Sequence, residues 1–192
     1  MLILPGSNAL SAFRTQRLLT QLQAVDAAIT GVSGRYLHFV DAGQAQALTR
    51  EDEARLNGLL TYGDPFNGSD EGDAFVVIPR FGTISPWASK ATDIVRNCGM
   101  GHIHRVERGI IFRVQVKTGL LGGTKKLNEA SIPAVAALLH DRMTEAVYTD
   151  VSEFFAHFEP TRLRTVPLMN KGPESLHRAN IEWGLAMSPE EI

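Results

Sequence analysis

Residues 74–97 read Ala-Phe-Val-Val-Ile-Pro-Arg-Phe-Gly-Thr-Ile-Ser-Pro-Trp-Ala-Ser-Lys-Ala-Thr-Asp-Ile-Val-Arg-Asn, and this stretch holds a strand, a loop and a helix start. The apolar run from Ala74 to Pro79 predicts a buried strand. Ser85 followed by Pro86 is typical of a helix N-terminus, because Ser caps free backbone N–H groups and Pro lacks one at the first position. We therefore predict a helix from Ser85 to Asn97.

The loop and the first turns of this helix form a candidate docking surface. A plain connector needs only Gly and a cap, whereas this loop adds Trp, Ser, Lys and Arg, and Trp and Arg are enriched at interface anchors. The alternative is structural: Trp87 fills the core, and Lys90 and Asp93 are solvated. The sequence leaves both interpretations open. The candidate domain-interface residues are Arg80, Ser85, Trp87, Ser89, Lys90 and Asp93.

The chain repeats its pattern loosely. Leu2–Gly6 is a short apolar run that reaches a Pro, and Val76–Arg80 is similar, 74 positions later. Each run is followed by an amphipathic helix pattern, a second strand and a second helix. We predict halves at 1–63 and 74–150, joined by an exposed linker at 64–73. The predicted fold class is α+β, with two pseudo-repeated strand–helix–strand–helix halves that form an antiparallel sheet with helices outside.

The second half contains the clearest strand. From His104 to Lys117 the apolar side chains fall on one face, and Arg105 and Glu107 fall on the other. This alternation predicts a long antiparallel strand with Arg105 and Glu107 on a solvent face. The apolar stripe in residues 131–148 predicts the last helix of the half.

From Val151 the pattern changes to a mostly helical tail. We predict an N-terminal domain at residues 1–150, followed at 151–192 by a connector and the beginning of a further domain. Ser188-Pro189-Glu190-Glu191 is typical of a helix start, yet no helix pattern follows it. Because a helix nucleus alone is unstable, we expect this chain to be the front part of a longer polypeptide.

Composition excludes several classes of function. The formal net charge of -2 provides no electrostatic basis for binding nucleic acid or an anionic membrane. Cys98 is the single cysteine, which favours a reducing compartment. No signal peptide is predicted, because the N-terminus lacks a basic region, and no stretch approaches the ~20 apolar residues of a membrane span. We therefore expect a cytoplasmic location.

The chain shows no pattern typical of an active site. His102 and His104 have a spacing that metal ligands can share, but no third ligand can be named. Gly119–Lys125 resembles a phosphate-binding loop in composition only, because Thr precedes Lys instead of following it. Cys98 has no activating neighbour in sequence. We predict no catalytic, cofactor-binding or metal-binding residue in this chain.

Several segments resemble phosphoribosylformylglycinamidine synthase of the large single-chain bacterial type, and they occur in the same order. The most specific segment is Gly82–Ile94, in which Ala88 stands where that family has Ser. The other segments extend the resemblance over nearly the whole chain: Gly6–Arg14, Tyr36–Asp41, Arg105–Gly109, His140–Tyr148, Ala179–Asn180, Gly184–Ala186 and Pro189–Ile192.

This resemblance implies an enzyme of de novo purine synthesis. The family uses ATP and magnesium to activate the amide oxygen of formylglycinamide ribonucleotide, and ammonia released from glutamine then forms the amidine. Its N-terminal domain resembles a dimer of the small subunit used by multi-chain versions. The glutaminase triad and the ATP and magnesium site belong to later domains.

The resemblance therefore implies a scaffold with no catalytic residue of its own. Its expected partners are the synthetase and glutaminase domains of the same polypeptide, which it would hold in register along the path of the ammonia. The alternative from another class is an independent ligand-binding or self-associating α+β module.

Overall fold

The first of two compact units, Met1–His157, follows most of the predicted order of strands and helices in a computed structural model. The structure describes residues 1–43, 48–117, 126–156 and 162–192. The predicted glycine-rich loop at Gly119–Lys125 lies outside the described residues. The elements of this unit are β1 (Leu2–Asn8), α1 (Ala12–Val25), β2 (Ile29–Asp41), α2 (Arg50–Leu60), β3 (Asp73–Pro79), α3 (Pro86–Asn97), β4 (Arg105–Val116), α4 (Ile132–Leu139) and β5 (Glu145–Tyr148).

In the described residues these strands form one antiparallel sheet in the order β1-β2-β4-β3-β5. The long strands β2 and β4 pair at its centre, from Gly31 opposite Gln115 to Asp41 opposite Arg105. β1 flanks β2 as β3 flanks β4, so the two halves are related by a pseudo-twofold at the central pair. The predicted α+β class, with an antiparallel sheet built from two pseudo-repeated halves, is confirmed.

Helices α1 to α4 pack on one face of the sheet, and two buried apolar clusters show this. One cluster joins α1 and α4 to the sheet, and the other joins α2 and α3 to it. Because paired residues of neighbouring strands share a face, the register places the sheet members of both clusters on the same side. The helical members are Leu22, Val135 and Leu139 in the first cluster and Leu56, Leu60 and Val95 in the second; the sheet members include Val32, Phe75, Val77, Phe112 and Val114, then Val40 and Val106.

The opposite face of the sheet is covered in part by the chain that follows β5. Phe154 is buried there in a cluster with Phe39 and Ile78. The ring centroids of Phe39 and Phe154 lie 5.1 Å apart in an edge-to-face contact, an arrangement that aromatic pairs prefer. Residues just past 150 therefore pack against this sheet, while the assignment of 151–192 to a connector and a further domain stays a prediction.

The helix predicted at 131–148 is wrong in its second half. α4 ends at Leu139, and in the following turn Asp141 Oδ1 accepts a hydrogen bond from the Met143 N–H at 2.8 Å. β5 then pairs with β3, with Ala146 opposite Ile78. The edge of β3 presents unpaired backbone groups, and pairing them outweighs the weak helix propensity of a short apolar segment.

The spacing of 74 residues between the halves does not match the faces of the two strands. This spacing aligns Leu4 with Ile78, but Leu4 packs with the helices whereas Ile78 lies on the opposite face. Phe75 and Val77 are the buried β3 residues that pack with the helices. Because side chains alternate between the faces of a strand, an even offset of 74 cannot match Leu4 to a β3 residue on the same face.

The second unit, Phe158–Ile192, contains α5 (Leu168–Lys171) and α6 (Pro173–Trp183). α6 ends at Trp183, because Gly184 follows with a φ of 62°, the left-handed conformation that ends helices. The Asn180 side chain then bonds the Met187 backbone N–H and C=O at 2.9 and 3.0 Å. No helix in the described ranges is both long and apolar enough to cross a membrane.

Candidate docking site

The loop before α3 is fastened to the sheet by one buried carboxylate. Glu107 accepts hydrogen bonds from the Ser85 N–H at 3.1 Å, from the Ser85 hydroxyl at 2.5 Å and from Arg105 Nη2 at 2.7 Å. Its side chain is fully buried, so its predicted position on a solvent face is wrong. The strand alternation is correct, but the loop and the Phe154 segment cover this part of that face.

Ser85 therefore uses both its backbone N–H and its hydroxyl as donors to Glu107. Its hydroxyl also accepts a hydrogen bond from the Ala88 N–H at 3.0 Å, which is the helix cap predicted from the sequence. Arg105 Nη2, which is bonded to Glu107, also donates a hydrogen bond to the Thr83 carbonyl at 2.6 Å. The hydrogen bonds of Ser85 are thus made within the chain, and they join the loop to β4 and to the first turn of α3.

Four of the six candidate residues lie on the surface. Arg80, Ser89, Lys90 and Asp93 are exposed. Arg80 is nevertheless tied to the turn after α4, because its Nη2 donates to the Arg142 carbonyl at 2.8 Å. The other three belong to α3, and Lys90 lines a groove between α2 and α3.

Trp87 is half-buried and has both a structural and a surface environment. Its ring stacks on His38, with centroids 5.7 Å apart, and packs with the α2–α3 apolar cluster. The same residue lines the groove beside Lys90. The core-packing interpretation therefore applies to one side of Trp87, and its role as an interface anchor stays a prediction.

The guanidinium of Arg108 lies over two aromatic rings, those of Trp87 and Tyr36. The Arg108 guanidinium carbon is 4.8 Å from the Trp87 ring centroid and 4.3 Å from that of Tyr36. Arg108 Nη1 donates to the Tyr62 hydroxyl at 3.2 Å, and that hydroxyl lies 2.8 Å from His38 Nε2. We call these five side chains, Tyr36, His38, Tyr62, Trp87 and Arg108, the arginine cluster.

The comparison with known families decides what kind of domain this is. A family model described as formylglycinamide ribonucleotide amidotransferase N-terminal matches residues 35–158, well over half of the chain. The match contains the buried carboxylate and the whole arginine cluster. This chain belongs to the formylglycinamide ribonucleotide amidotransferase N-terminal family. The family resemblance stated from the sequence is confirmed.

Membership of the amidotransferase N-terminal family places the chain in purine biosynthesis. The family description makes it the N-terminal part of an amidotransferase, that is, one domain of a larger polypeptide. The surfaces that this domain presents to other domains are therefore as relevant to its function as its interior.

The titratable groups of the arginine cluster have a defined charge at neutral pH. Burial, and to a smaller extent the positive charge of Arg108, lowers the pKa of His38 from 6.5 to about 4. Burial raises the pKa of Tyr62 above its ordinary value, although Arg108 opposes this. At neutral pH both groups are uncharged, so Arg108 is the one charged member of the cluster.

The lowered pKa of His38 predicts that the first unit loses stability between about pH 6.5 and pH 4. In this window the unfolded state binds a proton at His38 and the folded state does not, so the free energy of unfolding falls as the pH falls, by at most about 1.4 kcal/mol per pH unit. Urea unfolding at several pH values, followed by Trp87 fluorescence in a Trp183→Phe background, measures this slope.

His38→Gln should flatten the slope in that window, and His177→Gln, at an exposed position in the second unit, should keep it. Asp52 and Asp150 also have lowered pKa values. Because these carboxyl groups take up protons mainly below about pH 3.8, they contribute little to the slope in this window. An unchanged slope in His38→Gln would contradict the assignment.

The two histidines that suggested a metal site pair with different carboxylates. His102 Nε2 lies 3.5 Å from Asp52 Oδ2, and His104 Nδ1 lies 3.9 Å from Asp41 Oδ2. No group of three or more His, Cys, Asp or Glu side chains with metal-binding geometry occurs in the described parts of this chain.

Tyr36, His38, Tyr62 and Arg108 were not among the residues singled out from the sequence. One signal for them existed, because Arg108 interrupts the apolar face of β4 between Val106 and Ile110. A charged residue on an otherwise buried face needs a partner there. The sequence could indicate that such a partner exists, but not that partners come from β2, from α3 and from the segment just after α2.

Proposed function

We propose that this domain is the non-catalytic N-terminal scaffold of an ATP- and glutamine-dependent ligase that converts formylglycinamide ribonucleotide to formylglycinamidine ribonucleotide. In this proposal ATP, magnesium and the glutaminase nucleophile belong to other domains. The N-terminal domain would hold the synthetase and glutaminase domains in register and help to close the path of the ammonia between them. The cytoplasmic location likewise stays a prediction.

The Glu107 anchor is the observation that best supports a scaffold. It immobilises a surface loop from inside, so that the exposed side chains of α3 are presented at fixed positions. A surface whose conformation is already set loses little conformational entropy when it binds a partner. Fully buried carboxylates are rare in protein interiors, because desolvating the charge is costly unless it is fully hydrogen-bonded.

A tight interface has a chemical purpose in this proposal. Ammonia that escapes into bulk water is protonated to ammonium, which is not a nucleophile. Loosening the scaffold should therefore reduce the use of glutamine more than the use of added ammonia, which reaches the synthetase site from solution.

Ser89→Arg in the parent amidotransferase tests this proposal. Ser89 is exposed on α3, so the larger side chain should fit the isolated domain but obstruct a docked partner. We expect glutamine-dependent kcat/KM to fall about tenfold, as about 1.4 kcal/mol of overpacking predicts, while ammonia-dependent kcat/KM stays within about twofold. Steady-state assays with each nitrogen source measure both.

Gln21→Arg is the matched control, because Gln21 is exposed on α1, away from this loop. It should leave both rates unchanged. A Ser89→Arg enzyme that uses glutamine as well as the wild type does, or that loses both activities equally, would refute the proposed coupling.

A further inference from the structure

The chain contains the dipeptide Asn-Gly at two positions, Asn57–Gly58 and Asn67–Gly68. In this dipeptide the glycine has no Cβ to shield its backbone nitrogen, so the nitrogen can approach the side-chain carbonyl carbon of the Asn. That approach closes a succinimide ring and begins the deamidation of the Asn. Because the two positions share the same local chemistry, their surroundings decide which of them reacts.

Asn57–Gly58 lies inside α2, which runs from Arg50 to Leu60. The Gly58 N–H therefore belongs to the hydrogen-bond ladder of the helix, and the backbone of Asn57 is held in the helical conformation. Both residues are exposed to solvent, so any protection of this site comes from the helix. The nitrogen can attack the Asn57 side chain only after this part of α2 opens.

Asn67–Gly68 lies in the loop between α2 and β3, outside any helix or strand. Both residues are exposed, as they are at the helical site. Within the described ranges, no hydrogen bond involves the Asn67 side chain or the Gly68 N–H. The Gly68 nitrogen is therefore available for attack without the opening of a helix or strand.

Two contacts hold this loop on β2, one on each side of the dipeptide. Before it, the Phe66 ring centroid lies 5.0 Å from the Arg35 guanidinium carbon. After it, the Ser69 carbonyl accepts a hydrogen bond from the Ser33 hydroxyl at 2.6 Å. A change in the length of the backbone between these contacts would prevent both from being made at once.

We propose that Asn67 is a site of spontaneous deamidation, and that its isoaspartate product weakens the hold of the loop on β2. The isoaspartate form carries one additional carbon in the main chain, between the Phe66 and Ser69 contacts. Both products also place a carboxylate where the chain has a neutral amide. This proposal does not depend on the scaffold function.

The reaction needs water as its one co-reactant. The Gly68 nitrogen attacks Cγ of Asn67, a new C–N bond forms, and the side-chain nitrogen leaves as ammonia with the proton that the backbone nitrogen gives up. Water then adds to one imide carbonyl carbon and protonates the nitrogen as the C–N bond breaks. Opening at the side-chain carbonyl gives Asp, and opening at the main-chain carbonyl gives isoaspartate.

Incubation of the folded 192-residue chain at mildly alkaline pH tests the first step. An endoproteinase that cleaves before Asp places the two sites in separate peptides, 52–63 and 64–69, which mass spectrometry follows over time. Cleavage before position 67 marks the Asp product, since isoaspartate is not cleaved. We expect Asn67 to deamidate at least about tenfold faster than Asn57, because helix opening precedes the reaction at Asn57.

Unfolding the chain in urea is the matched control. The two sites should then react at similar rates, because α2 no longer protects Asn57. Asn67→Gln should stop conversion in peptide 64–69 and leave the rate at Asn57 unchanged. Equal rates at the two sites in the folded chain, a faster reaction at Asn57, or a folded Asn67 that stays intact while the unfolded one converts would each overturn the proposal.

The Asn67→Asp variant tests the second step, because it has the charge of the products without the additional backbone carbon. The isoaspartate form, separated from the aged protein by ion-exchange chromatography, should unfold at a lower urea concentration than Asn67→Asp. Trp87 fluorescence in a Trp183→Phe background follows the unfolding of the first unit. Equal unfolding midpoints would show that the loop does not depend on the length of its backbone here, and would refute this step.

Discussion

We expect Glu107→Ala to lower the free energy of unfolding of the first unit by about 3 to 5 kcal/mol. The substitution removes the acceptor for the Ser85 N–H, the Ser85 hydroxyl and Arg105, and it leaves the Arg105 charge largely buried without its carboxylate. Urea unfolding followed by Trp87 fluorescence, with Trp183→Phe as the background, measures the change.

Glu107→Gln separates charge from shape. The amide keeps the volume and one acceptor, so we expect a smaller loss of about 1.5 to 3 kcal/mol, the range for a hydrogen bond to a charged partner. Glu53→Gln, exposed on α2, is the surface control and should stay within about 0.5 kcal/mol. A loss below about 1 kcal/mol in Glu107→Ala would show that the loop does not depend on this carboxylate.

Phe154→Ala should destabilise the same unit by about 3 to 5 kcal/mol, the usual cost of truncating a buried Phe. Phe154 is 1% exposed, contacts Phe39 edge to face, and lies under the Arg105 guanidinium, 5.6 Å from it. The same unfolding assay measures the loss. The result would show that the chain just past 150 is an energetic part of the first unit.

The neighbouring Phe155 provides the matched control, because it is only half-buried although its ring stacks on Phe154 at 5.1 Å. Phe155→Ala should cost less than about 1.5 kcal/mol, since less apolar surface is returned to water. If both substitutions cost the same small amount, this segment would be an appendage and the covered sheet face would have to be explained otherwise.

Much of the fold could be predicted because its signals are local. The Ser85-Pro86 pair marks the start of α3, and period-two alternation marks β4 along its full length. The helix cap and the strand alternation each depend on residues only a few positions apart. The local backbone geometry is therefore enough to predict the element. The ordered family segments were equally readable, and they identified the family before any contact between them was known.

The candidate site was predicted only in part. The six residues predicted in the loop at 80–93 differ in their surroundings: Ser85 is half-buried and bonded to Glu107, Trp87 is half-buried, and the other four are exposed. That difference depends on Glu107 and Arg108, which are adjacent in sequence and lie on opposite faces of β4. One residue supports the loop from one side of the sheet, and the next supports Trp87 from the other.

The sequence by itself determined most of the helices and strands, their doubled order and the family. The tertiary structure alone decided that residues 145–148 form an edge strand, that Leu4 and Ile78 lie on different faces of the sheet, and that Glu107 is buried. In each case the deciding partner is distant in the chain: the free edge of β3, the helices on one face, and the loop with Phe154 on the other. Side-chain alternation sets which face a residue takes, but only the packed neighbours decide whether that face meets water.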